Sequence, residues 1–224
     1  MADRRQLILD LPYRTALGRD DFFVTSCNQE ALAFIDRWPN WPTPLAILCG
    51  PPGCGKSHLS AVWQKQVGAT LLDQSEIAGM TSRIGPTNCC FVVDVADGIA
   101  DEEAFFHLFN RVAEQNGGIL ATSYTPPARW TFILADLESR LRAAPVLNIG
   151  QVDDDLLAAV LVKLFADRQI LVEPGVIGYL LRRMDRSLGA ARDLVVLLDE
   201  AALAEHRTVS VPFARSILEA SQSD

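Results

Sequence analysis

Apolar residues in the first two-thirds of the chain fall in short unbroken runs. Those in the last third fall at spacings of three and four. Leu45-Ala46-Ile47-Leu48-Cys49 is a continuous apolar run, the pattern of a strand buried on both faces. Further strand candidates stand at 69–73 (ATLLD), 89–94 (CCFVVD), 118–122 (GILAT) and 145–149 (PVLNI). Helical patterns separate them. In 28–38, Ala31, Leu32, Phe34, Ile35 and Trp38 recur at three and four, until the prolines of WPNWPTP (38–44) forbid more helix. Helices are also predicted over about 56–67 and over 101–115, with Asp101 as N-cap. Strands alternating with helices imply βαβ units and a parallel sheet, here of five strands.

After residue 150 the strand pattern ends. Residues 153–168 place Leu156, Leu157, Val160, Leu161, Leu164 and Phe165 on one stripe. Pro174 opens a helix to about Met184, a third runs over about 189–205, and Pro212 opens a short last one. The expected organisation is an arm (1–20), an α/β domain (21–150) and a small all-helical domain (151–224). The arm contains RRQLILDLP (4–12), which is unusually apolar for a terminus. On pattern alone it reads as an edge strand.

Composition narrows the function classes. The chain has 20 Lys and Arg against 28 Asp and Glu, a net charge of −8, which disfavours direct nucleic-acid binding. Its five cysteines form no C-x-x-C pair and read as reduced thiols, not as a metal site. No apolar run approaches the roughly 18 to 20 residues of a membrane helix, and no signal-peptide pattern is present. The expected location is cytoplasmic.

The strongest chemical signal is Gly50-Pro51-Pro52-Gly53-Cys54-Gly55-Lys56-Ser57, a full G-x-x-x-x-G-K-[ST] motif between a predicted strand and a predicted helix. Glycines let backbone N–H groups turn inward around phosphate oxygens, and the helix N-terminus adds partial positive charge. Lys56 is expected to reach the β- and γ-phosphates and Ser57 to hold Mg²⁺. Phe91-Val92-Val93-Asp94 supplies an acidic strand end, with Asp94 orienting the metal's water shell. The next residue is Val95, which cannot accept a proton from water. Asp97 serves as a base only if its loop bends back. Nucleotide binding is therefore expected, and efficient hydrolysis by this chain alone is not.

The P-loop, the Asp94 strand and the helical tail together resemble the AAA+ ATPases. Asp20-Asp21-Phe22-Phe23-Val24-Thr25-Ser26-Cys27-Asn28-Gln29 resembles the adenine-pocket segment of the replication initiator DnaA. His206-Arg207-Thr208-Val209-Ser210-Val211-Pro212-Phe213, with Ile217-Leu218, is similar to the end of the Hda-type regulators of DnaA. The absence of a DNA-reading domain after Asp224, and of domains before the arm, agrees with Hda over DnaA. The resemblance implies a AAA+ core followed by a helical lid, an adenine nucleotide (ADP or ATP) with Mg²⁺, and a nucleotide site that adds Phe23, Val24, His58 and Arg192 to residues 50–57. It also implies that the arm docks on the DNA polymerase III sliding clamp through Gln6, Leu7, Leu9 and Leu11.

In the same family, Asp136-Leu137-Glu138-Ser139-Arg140-Leu141 is similar to the segment bearing an arginine finger, which implies that Arg140 acts in trans on nucleotide held by DnaA. The alternative for Arg140 is a salt bridge with Glu138 or Asp136. Gly189-Ala190-Ala191-Arg192 matches the G-x-x-R of sensor 2; its alternative is pairing with Asp193 or Asp199. Ser123 or Thr122 occupies the sensor 1 region. The implied partners are DnaA and the clamp, with DNA reached only through the clamp and no membrane. Self-association stays open. So do two other functions: an adaptor that binds DNA or a partner protein without stimulating hydrolysis, and a self-sufficient ATPase.

Overall fold

The structure, a computed structural model, describes residues 22–221. The clamp-binding candidates Gln6, Leu7, Leu9 and Leu11 lie outside the described residues. The chain runs α1 (Gln29–Ile35), β1 (Leu45–Cys49), α2 (Lys56–Val67), β2 (Thr70–Leu72), α3 (Ile77–Thr81), β3 (Cys90–Ala96), α4 (Glu102–Glu114), β4 (Gly118–Ser123), α5 (Ala135–Ala143) and β5 (Val146–Asn148). Four further helices follow: α6 (Asp154–Asp167), α7 (Pro174–Leu181), α8 (Leu188–Glu205) and α9 (Val211–Ser221).

The strands form one parallel sheet in the order β2-β3-β4-β1-β5. Side chains alternate across it, as strand geometry demands. Ala46, Leu48, Val92 and Leu120 face Leu59 and Trp63 of α2. Leu45, Ile47, Phe91, Val93, Ile119 and Ala121 face α4 and α5. The first of these cores continues through Ile149 and Val152 into Leu157, Leu161 and Phe165 of α6, Leu180 of α7 and Leu198 of α8. The helical domain is therefore packed on one face of the sheet, the face that carries α2.

The predicted cap at Asp101 forms, and Asp153 caps α6 in the same way. Asp101 accepts a hydrogen bond from Ala104 N–H at 2.9 Å, and Asp153 from Leu156 N–H at 2.8 Å. Differences from expectation have local causes. The first helix stops at Ile35 rather than 38, and Trp38 instead packs edge-on against Trp41 (5.0 Å) and Trp63 (5.7 Å), while Trp41 stacks on Trp63 at 5.2 Å. Strand β3 extends to Ala96 through a bulge: Asp94 pairs with Thr122 and Ala96 with Ser123, leaving Val95 as the extra residue. Helix α7 ends at Leu181 rather than near Met184. Among the described residues, no helix is long and apolar enough to cross a membrane.

Candidate functional site

Strand β1 delivers the P-loop to the C-terminal edge of the sheet. Gly53 (φ 71°) and Gly55 (φ 104°) take left-handed conformations that side chains disfavour. Lys56 is buried. Its ammonium donates to the carbonyls of Gly50 (2.7 Å) and Pro51 (2.9 Å) and lies 4.7 Å from the centre of the Tyr124 ring. Ser57 is exposed in the first turn of α2, and Pro51 and Pro52 are exposed on the loop. Cys54 is buried, and burial pushes its thiol above the usual range, with Lys56 opposing. It packs as a neutral apolar group.

Asp94 stands near the C-terminal end of β3, on the face that carries α2. Its carboxylate accepts from the Thr122 hydroxyl at 3.0 Å and from Ala96 N–H at 3.2 Å. Strand alternation carries Val95, with Phe91 and Val93, into the opposite core, where it is 1% exposed. Ser123 is fully buried and donates to the Thr125 carbonyl at 2.5 Å. Of the two residues weighed as sensor 1, Thr122 is thus the one bonded to Asp94. Asp97 accepts from the Thr125 hydroxyl at 3.3 Å, on the side of Trp130.

A cavity of about 230 Å³ opens beside the loop, lined among others by Phe22, Phe23, Gly55, His58, Leu188 and Arg192. Phe22 packs edge-on to His58 at 5.3 Å. Val24 is half-buried nearby but not part of the lining. Buried Asn28 shapes this wall: its amide donates to the Phe23 carbonyl (2.9 Å) and its oxygen accepts from Thr25 N–H (3.0 Å). The lid supplies the other wall. Ser187 caps α8 by accepting from Ala190 N–H at 3.0 Å. Arg186 pairs with Asp154 at 3.0 Å, tying the start of α8 to α6. Arg192 is exposed at the rim and forms no ion pair with a described residue; Asp199 is taken by Arg168 at 3.5 Å.

Arg140 stands apart from this group. Its helix, α5, packs on the other face of the sheet. The guanidinium lies over Phe109 (4.8 Å) and Phe106 (5.4 Å) of α4. It is exposed and makes no ion pair with a described residue, because Glu138 is taken by Arg142 at 2.7 Å. Sequence reasoning held Phe22 and Asn28 within the adenine-pocket segment without naming them as site residues, and it missed Leu188 as a builder of the cavity. A signal for Asn28 existed, since a polar residue directly before a helix is a cap candidate, and here its side chain serves the preceding loop instead.

Residues 153–218 match the family described as Hda, lid domain. A protein of Haemophilus influenzae, itself uncharacterised, is 24% identical over 188 residues, covering 78% of this chain and 81% of its own. Among solved structures, domain III of the Thermotoga maritima replication initiation protein DnaA superposes with a TM-score of 0.74 at 15% identity, covering 88% of this chain and 93% of that one. AMPPCP-bound DnaA from Aquifex aeolicus gives 0.63 at 17% identity, over 79% of this chain and 63% of the other. Thermotoga maritima RuvB gives 0.64 at 13%, over 79% and 61%. The chain thus has the fold of DnaA domain III, an α/β AAA+ fold with a five-stranded parallel sheet, and residues 153–218 of its helical tail match the Hda lid-domain family.

Proposed function

We propose that this protein is a replication regulator of the Hda type, which binds an adenine nucleotide and stimulates ATP hydrolysis by DnaA in trans. The observation that carries the reading is Arg140: exposed, without a carboxylate partner among the described residues, and on the sheet face away from its own P-loop. A guanidinium in that state is suited to another subunit's nucleotide. Val95 supports the same division of labour. Its side chain sits in the core, so the position after Asp94 offers no base for this chain's own hydrolysis.

The residues fit a bound nucleotide. Left-handed glycines expose the loop's N–H groups, and Lys56 is positioned at the loop to exchange its two carbonyl partners for phosphate oxygens. Ser57 and Asp94 would hold Mg²⁺, which supplies charge neutralisation at the phosphates. The cavity between Phe23, His58 and Leu188 accepts the base, with Arg192 at its rim. AMPPCP is bound by the Aquifex DnaA of the same fold. Arg140 would stabilise charge on the transferring phosphoryl group, an effect worth about 10³ to 10⁵ in rate in comparable systems. Gln6, Leu7, Leu9 and Leu11 would seat the protein on the sliding clamp as apolar anchors beside a polar one, so that DNA is reached through the clamp.

The test is hydrolysis by ATP-loaded DnaA with the clamp on DNA. Wild-type protein is expected to accelerate it and Arg140→Ala to lose the acceleration, with nucleotide binding by the variant itself unchanged. No acceleration by wild type overturns the reading.

A further inference from the structure

We infer that Glu102 is a positioning residue for Arg140. This rests on the trans-acting reading above. Helix α5 begins without a side-chain cap: its N-cap residue, Leu134, makes none. A carboxylate from a different helix instead holds the two residues that lead into it. The Glu102 carboxylate, in the first turn of α4, accepts from Ile133 N–H at 3.0 and 3.1 Å and from Leu134 N–H at 2.6 Å. These are charge-assisted hydrogen bonds to the backbone at the positive end of a helix, the strong class.

The second grip is aromatic. Phe106 and Phe109 lie under the Arg140 guanidinium. Glu102, Phe106 and Phe109 stand at i, i+4 and i+7 of α4, which puts them on one stripe. Seven residues of α4 advance about 10 Å, and the six from Leu134 to Arg140 advance about 9 Å. The two helices therefore run side by side in the same direction, with matched anchor points. One anchor is polar and fixes the start of α5. The other is a soft cation–π contact that permits sliding. Without the polar anchor, α5 can pivot on the aromatic pair and carry the guanidinium with it. A finger is sensitive to such shifts, since a displacement of about 1 Å can cost about 10²-fold in rate.

Two conservative variants separate reach from charge. Glu102→Gln keeps the length and one acceptor oxygen. Glu102→Asp keeps the charge and falls one methylene short. Both are assayed for maximal stimulation of DnaA hydrolysis and for the half-saturating concentration, beside Arg140→Ala. Amide hydrogen exchange at Ile133 and Leu134 is measured on the same full-length samples, with thermal midpoint and own-nucleotide affinity as folding controls.

The expected result is a loss of maximal stimulation of about tenfold or more for Asp, about threefold or less for Gln, and half-saturation within about twofold for both. The Ile133 and Leu134 amides should lose protection in the Asp variant. Wild-type stimulation and protection in Glu102→Asp, or a Gln variant as deficient as Asp, overturns the positioning role. If Arg140→Ala stimulates like wild type, the trans-acting reading itself falls. The exchange result still reports whether Glu102 anchors α5.

Discussion

The backbone N–H of Leu188 donates to the carbonyl of Gly53 at 3.0 Å. The lid thus touches the phosphate loop directly, through main-chain atoms. The contact is close elsewhere too, since a Cβ built on Gly53 would lie 2.6 Å from Ser187 Cβ.

Gly53→Ala should therefore act twice. The φ of 71° strains any side chain, and the added methyl must push Ser187, the cap of α8, off its place. A cost of about 1 to 3 kcal/mol is expected, read as a fall in thermal midpoint of roughly 3 to 10 °C for a chain of this size. Nucleotide affinity, measured by titration calorimetry, should fall with it. An unchanged midpoint would mean that the lid does not rest on the loop in solution.

Val95→Glu tests whether an acid at this position can restore a base. The residue is in the core against Phe91 and Val93, so the carboxylate would be buried without a partner. Destabilisation of about 3 kcal/mol or more is expected, measured by denaturant unfolding. Intrinsic ATPase should not rise. Turnover appearing in a stably folded variant would show that the bulge can turn residue 95 outward.

Asn28→Asp probes the cavity wall. It keeps the acceptor for Thr25 N–H but replaces the donor to the Phe23 carbonyl with a second acceptor. Leaving that carbonyl opposed costs about 1 to 3 kcal/mol. Nucleotide affinity should weaken while Lys56 and its loop are untouched. Fluorescent-nucleotide titration checks this, and wild-type affinity would remove Asn28 from the site.

Where sequence signals were local, the structure follows them closely. Helix α2 occupies 56–67 as predicted, because the P-loop glycines and Gly68 mark its two ends. Asp101 and Asp153 cap the helices they precede. Helix α5 carries no local start signal: its N-cap residue is Leu134, and the carboxylate that holds the chain entering it belongs to Glu102, more than thirty residues away. The bulge at Val95 depends on how β3 pairs with β4, which no spacing in 89–96 reveals. The cavity joins Phe22, His58 and Leu188, residues brought together only when the lid packs on the sheet. Motif reading found the loop's chemistry; the walls around it are tertiary.

The tryptophan cluster has an optical consequence. Trp38, Trp41 and Trp63 are mutually in contact on the core shared with the lid. Trp130 lies on the opposite face, with its indole N–H bonded to Thr125. Coupled indoles in a rigid, chiral packing generate near-ultraviolet circular dichroism, and a separate indole emits on its own. The chain's four tryptophans thus divide into two native reporters. Dichroism of the trio follows the lid-side core, and emission from Trp130 in a Trp38/Trp41/Trp63-free background follows the side that carries Arg140.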